Sequence, residues 1–573
     1  MLDLLIKGGT VIDGTGAKGY IADVAITGGK ILEVGKVTDP ARETINANGL
    51  LVTPGWVDVH THYDGQATWD QLITPSFWHG VTTVVMGNCG VGFAPVAPDK
   101  HEWLIGLMEG VEDIPHAALS EGISWGWESF PEYLDTLEKI PHAIDIGSQI
   151  AHGPIRAYVM GERGAKNEPA SEQDIAEISA IALEGLKAGA LGVSTSRTMM
   201  HLAIDGEPVP GTFATEQELL GLAKAIKKAG HGIVESAPAG ITGDDLLAPE
   251  KEIAWMEKVS VEVGVPITFL FAQNNVEPEA WRVMLAECDR ANLAGARIYP
   301  QVFGRQTNLL FSFQGNNPFF RYPSYLPLID LPQEERVARL SKPELRNRII
   351  SETDPNDDAF TKFVQNSWNT TYELGDPMDF EPHPDFSIES IAKREQRDPK
   401  AVAYDLMLKR GGNNFLFFSG INYTYGNHDC LREMIAHPSS LLGGSDGGAH
   451  CTYICDASVP TFMLTHWTRD RTRGERFPIE WVVKKQSRDP AHIFGLTDRG
   501  VVAPGFKADL NLINYEELNI NTPFMVHDLP SGAPRLMTTA DGYEATIVSG
   551  TVVQRRSEET GERPGQVIRG GMI

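Results

Sequence analysis

At 573 residues the chain is too long for one ordinary domain and suits a barrel-sized unit with a smaller companion. Its 42% hydrophobic content supports a sizeable buried core. A formal net charge of −27 excludes nucleic acid and anionic membrane surface as main partners, because both would repel it.

The first fifty residues read as short strands at 4–7, 10–13, 22–26 and 30–34, punctuated by glycine-rich turns. The segments 508–513, 545–548 and 551–553 have the same texture, so both termini are expected to assemble one small β-sandwich domain from 1–53 and 497–573. Between them strands and helices alternate, which places the chain in the α/β class with a parallel sheet and crossover helices. Eight strands are predicted at 56–59, 82–86, 143–150, 189–195, 232–235, 265–271, 296–299 and 440–443, the number of a (β/α)8 barrel over 54–496. Ser171 with Asp174 and Thr215 with Glu218 have capping-box spacing, and each opens a helical apolar pattern.

The seventh and eighth strands are separated by far more chain than a βα loop uses, which predicts an inserted subdomain at about 305–415. Its aromatic residues Phe311, Phe313, Phe319, Phe320 and Tyr322 either lie over the pocket, favouring a bulky substrate group, or form the insertion's own core. Residues 1–10 lack the basic and long apolar regions of a secretory leader, and no apolar run reaches bilayer length. Five cysteines, few and odd in number, suit a reducing compartment, so the protein is expected in the cytoplasm. The spaced pair Cys451 and Cys455 lacks partnering ligands and is read as incidental. Monomer and homo-oligomer are both open.

The strongest chemical signal is PGWVDVHTH at 54–62. Alternate residues of a strand project the same way, so His60 and His62 leave the first strand together at its C-terminal end. Barrel enzymes assemble their sites at that face, and two converging imidazoles suit zinc. Two histidines bonded to loop backbone is the bland alternative. The second signal is LGGSDGG at 442–448, where Asp446 ends the eighth strand, beside the first in a closed barrel. There Asp446 can ligate a metal and take a proton from water, or simply form an Asx turn.

These motifs, in this order and at this spacing, resemble the amidohydrolase superfamily, specifically its D-aminoacylase (N-acyl-D-amino-acid deacylase) branch. LIKGGTVIDG at 5–14, GNCG at 87–90, HGPIR at 152–156, AGALGVST at 188–195, DRG at 498–500 and TGERPG at 560–565 extend the resemblance along essentially the whole chain. It implies that His60 and His62 ligate one zinc, that Cys89 is a thiolate ligand or bridge, and that Asp446 is ligand and general base. A thiol beside a dication loses its proton readily, which agrees with that role for Cys89.

The sequence departs from the branch at strands five and six, which lack its metal-binding histidines. Strand five offers Glu235 as a substitute oxygen ligand or a strand-end ion pair, strand four ends without a lysine, and one zinc is expected. Candidate substrate contacts at the rim are His152, Arg197, His201, Tyr299 and His450, each with a packing, ion-pair or solvated alternative. The expected reaction is attack by metal-activated water on the C–N bond of a small amide such as an N-acyl amino acid. Tyr299 or His152 would assist the oxyanion. Rival expectations are hydrolysis of a cyclic amide, imide or lactone, and a scaffold without catalysis.

Overall fold

The computed structural model describes residues 1–572 apart from 244, 246 and 356–358, with only the backbone at 359–361. Leu2–Val11 pairs antiparallel with Tyr20–Thr27 and parallel with both Ala41–Asn46 and Leu51–Pro54. The tail strand Leu510–Ile513 adds antiparallel to Leu51–Pro54, and Tyr543–Val548, Thr551–Arg555 and Glu558–Glu559 continue outward. Both termini thus build one small β unit, whose core includes Ile6, Val24, Val52, Leu510 and Ile547. The strands of this unit, expected as a β-sandwich, hydrogen-bond into one nine-stranded sheet. Leu2–Val11 is long enough to hold Ala41–Asn46 along its first half and Leu51–Pro54 at its end, with a register shift between Ile6 and Gly9.

One residue beyond Leu51–Pro54, Trp56–Asp58 starts a ring of parallel strands. Val81–Met86, Asp145–Ser148, Ile150–Ala151, Gly192–Ser196, Ile233–Ala237, Ile267–Phe271, Ile298–Val302 and Leu441–Leu442 follow. Each pairs in parallel with its neighbours, Asp145–Ser148 and Ile150–Ala151 acting as two halves of the third strand. The last meets the first through one bridge, Thr61 to Gly447, with the His62 N–H donating to the Gly447 carbonyl at 2.7 Å. Eight strands therefore close head to tail. The seventh passes through Pro300 to Val302 instead of stopping at Tyr299; proline reads as a strand breaker, yet here it is paired and buried.

Ser171 closes its capping box with Asp174. Thr215 caps the helix Glu216–Ala229, but the Glu218 carboxylate turns into the interior instead of closing the second box. The insertion carries its own three-stranded sheet, Thr307–Phe311, Leu416–Ile421 and Thr371–Glu373. Phe311, Phe313, Phe319 and Tyr322 are buried in the insertion's core, with Phe320 packed against it, so they do not line the mouth. Among the described residues no helix is long and apolar enough to cross a membrane.

Candidate metal centre

Four groups from three parts of the ring converge at its C-terminal end. His60 is fully buried, and its Nε2 lies 3.4 Å from Cys89 Sγ and 3.5 Å from Asp446 Oδ1. His62 Nε2 lies 3.8 Å from the same Asp446 oxygen. Donor atoms of His60, His62 and Cys89 all fall within 4.8 Å of one another. Donors about 2.0–2.3 Å from one tetrahedral ion stand about 3.3–3.6 Å apart, so these separations are near what a single zinc requires.

The backbone is shaped to bring them there. Cys89, Asp446 and His450 all adopt positive φ, at 55°, 49° and 48°, a conformation that non-glycine residues seldom take and that clusters at functional sites. At Gly90 a Cβ would stand 2.6 Å from the Ser196 backbone nitrogen, so glycine is needed for the Cys89 turn to press against the fourth strand.

Glu235 sits at full burial on the fifth strand. Its Oε2 accepts the Cys89 N–H at 2.9 Å, while its Oε1 has no hydrogen-bond partner. Two oxygens that the sequence did not single out face the far side of the imidazoles. Gln301 Oε1 is 2.7 Å from His60 Nδ1, and Glu112 Oε1 is 3.2 Å from His62 Nδ1. Gln301 lies two residues past Tyr299 on the same strand face, so a correct strand end would have found it. Glu112 ends the helix His101–Glu112, where a lone acid reads as solvated surface.

Electrostatics show what the cluster lacks. Burial, then Asp456 and Asp58, push Asp446 up to about 7. Burial, with Asp446 adding to it against the Cys89 hydrogen bond, takes Glu235 to about 8. Glu112 and the Cys89 thiol are also driven well upward, by burial first and then by the neighbouring carboxylates. Burial lowers His60 to about 4; burial also holds His62 well below its ordinary value, with His60, His450 and His201 adding to it. Neutral imidazoles beside crowded acids and a thiol suit a divalent cation, which would reverse every one of the acid shifts. The donor set fits zinc.

The other expected rim residues divide. His201 and His450 are close enough to act on His62 electrostatically; His201 Nδ1 is 3.0 Å from Ser196 Oγ, and the His450 side chain is 31% exposed. The remaining three are engaged elsewhere. His152 begins a helix and spends both ring nitrogens, on Thr195 Oγ1 at 3.0 Å and Glu218 Oε1 at 2.9 Å, under full burial. Arg197 bonds both Glu252 oxygens at 2.9 Å through Nε. Tyr299 packs among Val57, Val59, Ile233 and Phe494 below the rim.

A second cluster has ligand-like spacing. His428 Nδ1 is 3.2 Å from His466 Nε2, which is 3.3 Å from Glu381 Oε2. Here, however, Arg471 bonds both Glu381 oxygens at 3.0 Å. Burial alone would raise Glu381; hydrogen bonds from His466 and Arg471 overcome it and hold this acid well below the usual range.

Two histidines, a cysteine and an aspartate thus gather at the C-terminal end of a parallel-stranded ring, with spacing that could hold a metal ion. The chain belongs to the amidohydrolase family, whose sequence model matches residues 43–554. It is 27% identical over 572 residues to D-aminoacylase of Alcaligenes xylosoxydans xylosoxydans, covering 99% of this chain and 97% of that one. It is 26% identical to N-acyl-D-aspartate deacylase of the same organism, covering 99% and 95%. A crystal structure of D-aminoacylase superposes with a TM-score of 0.65 at 22% identity over 99% of this chain and 100% of that one. An N-acyl-D-glutamate deacylase from Bordetella bronchiseptica, complexed with zinc and a phosphonate inhibitor, gives 0.64 at 21% identity over 99% of each chain.

Proposed function

We propose that this protein hydrolyses the C–N amide bond of an N-acyl amino acid or a similar small amide, using one zinc ion held by His60, His62, Cys89 and Asp446. The observation that carries this reading is the donor spacing at the mouth of the ring. The names of the relatives support the deacylase chemistry, and the zinc complex of one structural neighbour supports the metal. Strand six argues for a single ion: Phe269 and Phe271 are core residues, and the Gln273 side chain bonds the Pro278 carbonyl at 3.2 Å. Glu235, with one free oxygen, is assigned as an additional oxygen donor.

A bound zinc ion would acidify water and polarise the scissile carbonyl. Among the four proposed ligands, Asp446 is the one with appreciable solvent access, its side chain 16% exposed against 0–1% for the histidines. Its Oδ1 faces the two imidazoles, leaving Oδ2 to take a proton from attacking water and pass it to the leaving nitrogen. His201 and His450 are assigned to orient the substrate; His152, Arg197 and Tyr299, engaged elsewhere, are not. We further assign residues 1–53 and 497–573 to the β domain, 54–496 to the barrel, and, from the unpaired cysteines, the cytoplasm as its compartment.

Asp446→Asn tests the mechanism: turnover should fall about 10²–10⁴-fold, the range removed with a general base. Near-normal turnover would remove Asp446 from that role. Assay of N-acyl-D- and N-acyl-L-amino acids beside cyclic amides, before and after chelation, tests the reaction itself.

A further inference from the structure

Both imidazoles of the mouth show the same design on their far side. His60 presents Nε2 to Cys89 and Asp446 while Nδ1 meets Gln301 Oε1 at 2.7 Å. His62 presents Nε2 to Asp446 while Nδ1 faces Glu112 Oε1 at 3.2 Å. We infer that Glu112 is a positioning residue of the metal centre, accepting a hydrogen bond from the Nδ1–H of His62 and so aiming the Nε2 lone pair at the ion. This inference rests on the metal-centre reading above. An outer carboxylate on a ligating histidine fixes its tautomer and raises its basicity.

Placement of Glu112 is hard to explain otherwise. Its side chain is only 4% exposed, and it ends a helix, where the helix dipole opposes negative charge. Among the described residues its only ion-pair partners are His62 and, at 3.9 Å, His450. Its Oε1 and His62 Nδ1 count as buried atoms without a well-aligned partner, so their 3.2 Å approach is a contact that a small ring rotation would complete. The backbone holds Glu112 in place independently of its carboxylate. The Glu112 carbonyl accepts the His450 N–H, and the next residue, Asp113, caps the helix at φ 49° and accepts Thr452 Oγ1 at 2.8 Å. The strand-two loop is thereby tied to the loop that carries Asp446.

Zinc affinity is the direct readout, measured by competition with a chromophoric chelator on the full chain. Glu112→Ala should weaken binding about 10–100-fold, the usual loss for an outer partner. Glu112→Gln, isosteric and able to accept a hydrogen bond from Nδ1–H through its uncharged amide oxygen, should fall between it and the wild type. Excess zinc should restore the turnover number of Glu112→Ala, which a base or substrate contact would not allow. Cobalt(II) substitution separates positioning from ligation: the visible bands of Glu112→Gln should match the wild type. Unchanged zinc affinity in Glu112→Ala, shifted cobalt bands in Glu112→Gln, or no rescue by zinc would each overturn the assignment. A wild type that binds zinc but hydrolyses no N-acyl amino acid would instead overturn the substrate reading and leave Glu112 in place.

Discussion

The mouth of the ring and the Glu381 cluster use the same materials, buried histidines and carboxylates at ligand spacing, to opposite ends. At Glu381 the counter-charge is built in: Arg471 bonds both oxygens, and the insertion is thereby clamped to the segment that follows the eighth strand. At the mouth no arginine or lysine contributes to the shifts of Asp446, Glu235 or Glu112, and all three acids are pushed upward. Donor spacing alone therefore does not separate the two clusters; the presence or absence of a bonded arginine does. The buried triad His152, Arg156 and Glu218 makes the same point, since Arg156 Nη1 meets Glu218 Oε1 at 2.6 Å and His152 Nε2 meets the same oxygen at 2.9 Å, so the carboxylate has its counter-charge within the chain.

Removing the guanidinium should break this contrast most severely. Arg471→Met leaves a buried carboxylate without its counter-ion, an effect of about 3–5 kcal/mol on unfolding by urea. Glu235→Gln at the mouth should instead leave the metal-free protein as stable or more stable, because it removes an acid that burial forces to hold a proton on folding. Equal losses in the two variants would erase the distinction.

The pH dependence of stability sharpens it. In metal-free protein Asp446 and Glu235 titrate near 7 and 8, above their ordinary 3.8 and 4.5, so the folded chain keeps protons that the unfolded chain has lost. Their contribution to stability is complete below about pH 4 and fades as pH rises through 7 to 8. Glu218 runs the other way. Burial would raise it, but His152 and Arg156 hold it at about 2, so its contribution is present above 4.5 and lost as pH falls through 2. Melting temperatures with chelator and with zinc should therefore diverge toward pH 8 and converge in acid.

The smallest effects belong to the residues that leave the mouth. Tyr299→Phe should not change turnover, and Arg197→Met should leave KM unchanged while lowering stability through the unpaired Glu252. A rise in KM for Arg197→Met would return that guanidinium to the substrate.

Much of this was legible in the chain. Alternation alone placed His60 and His62 together, and a strand ending in Gly-Gly-Ser-Asp placed Asp446 beside them. The parallel ring followed from alternating elements and glycine punctuation. What escaped was decided by side-chain direction, which periodicity does not carry. Glu218 sits at a capping position yet reaches inward to His152, so a histidine that looked free is occupied. Pro300 masked the last residues of the seventh strand and with them Gln301. Glu112 was invisible because its role depends on a loop of separate origin folding back over it.

The ring has one thin join. Between the eighth strand and the first, the ladder narrows to the Thr61–Gly447 bridge and the His62 N–H, and the proposed ligands stand on both banks, His60 and His62 on one and Asp446 on the other. An ion bound across that gap would act as a rivet in the wall as well as a reagent. Amide exchange at 60–62 and 445–448 should then quicken on chelation while the opposite wall, around 233–237, stays quiet.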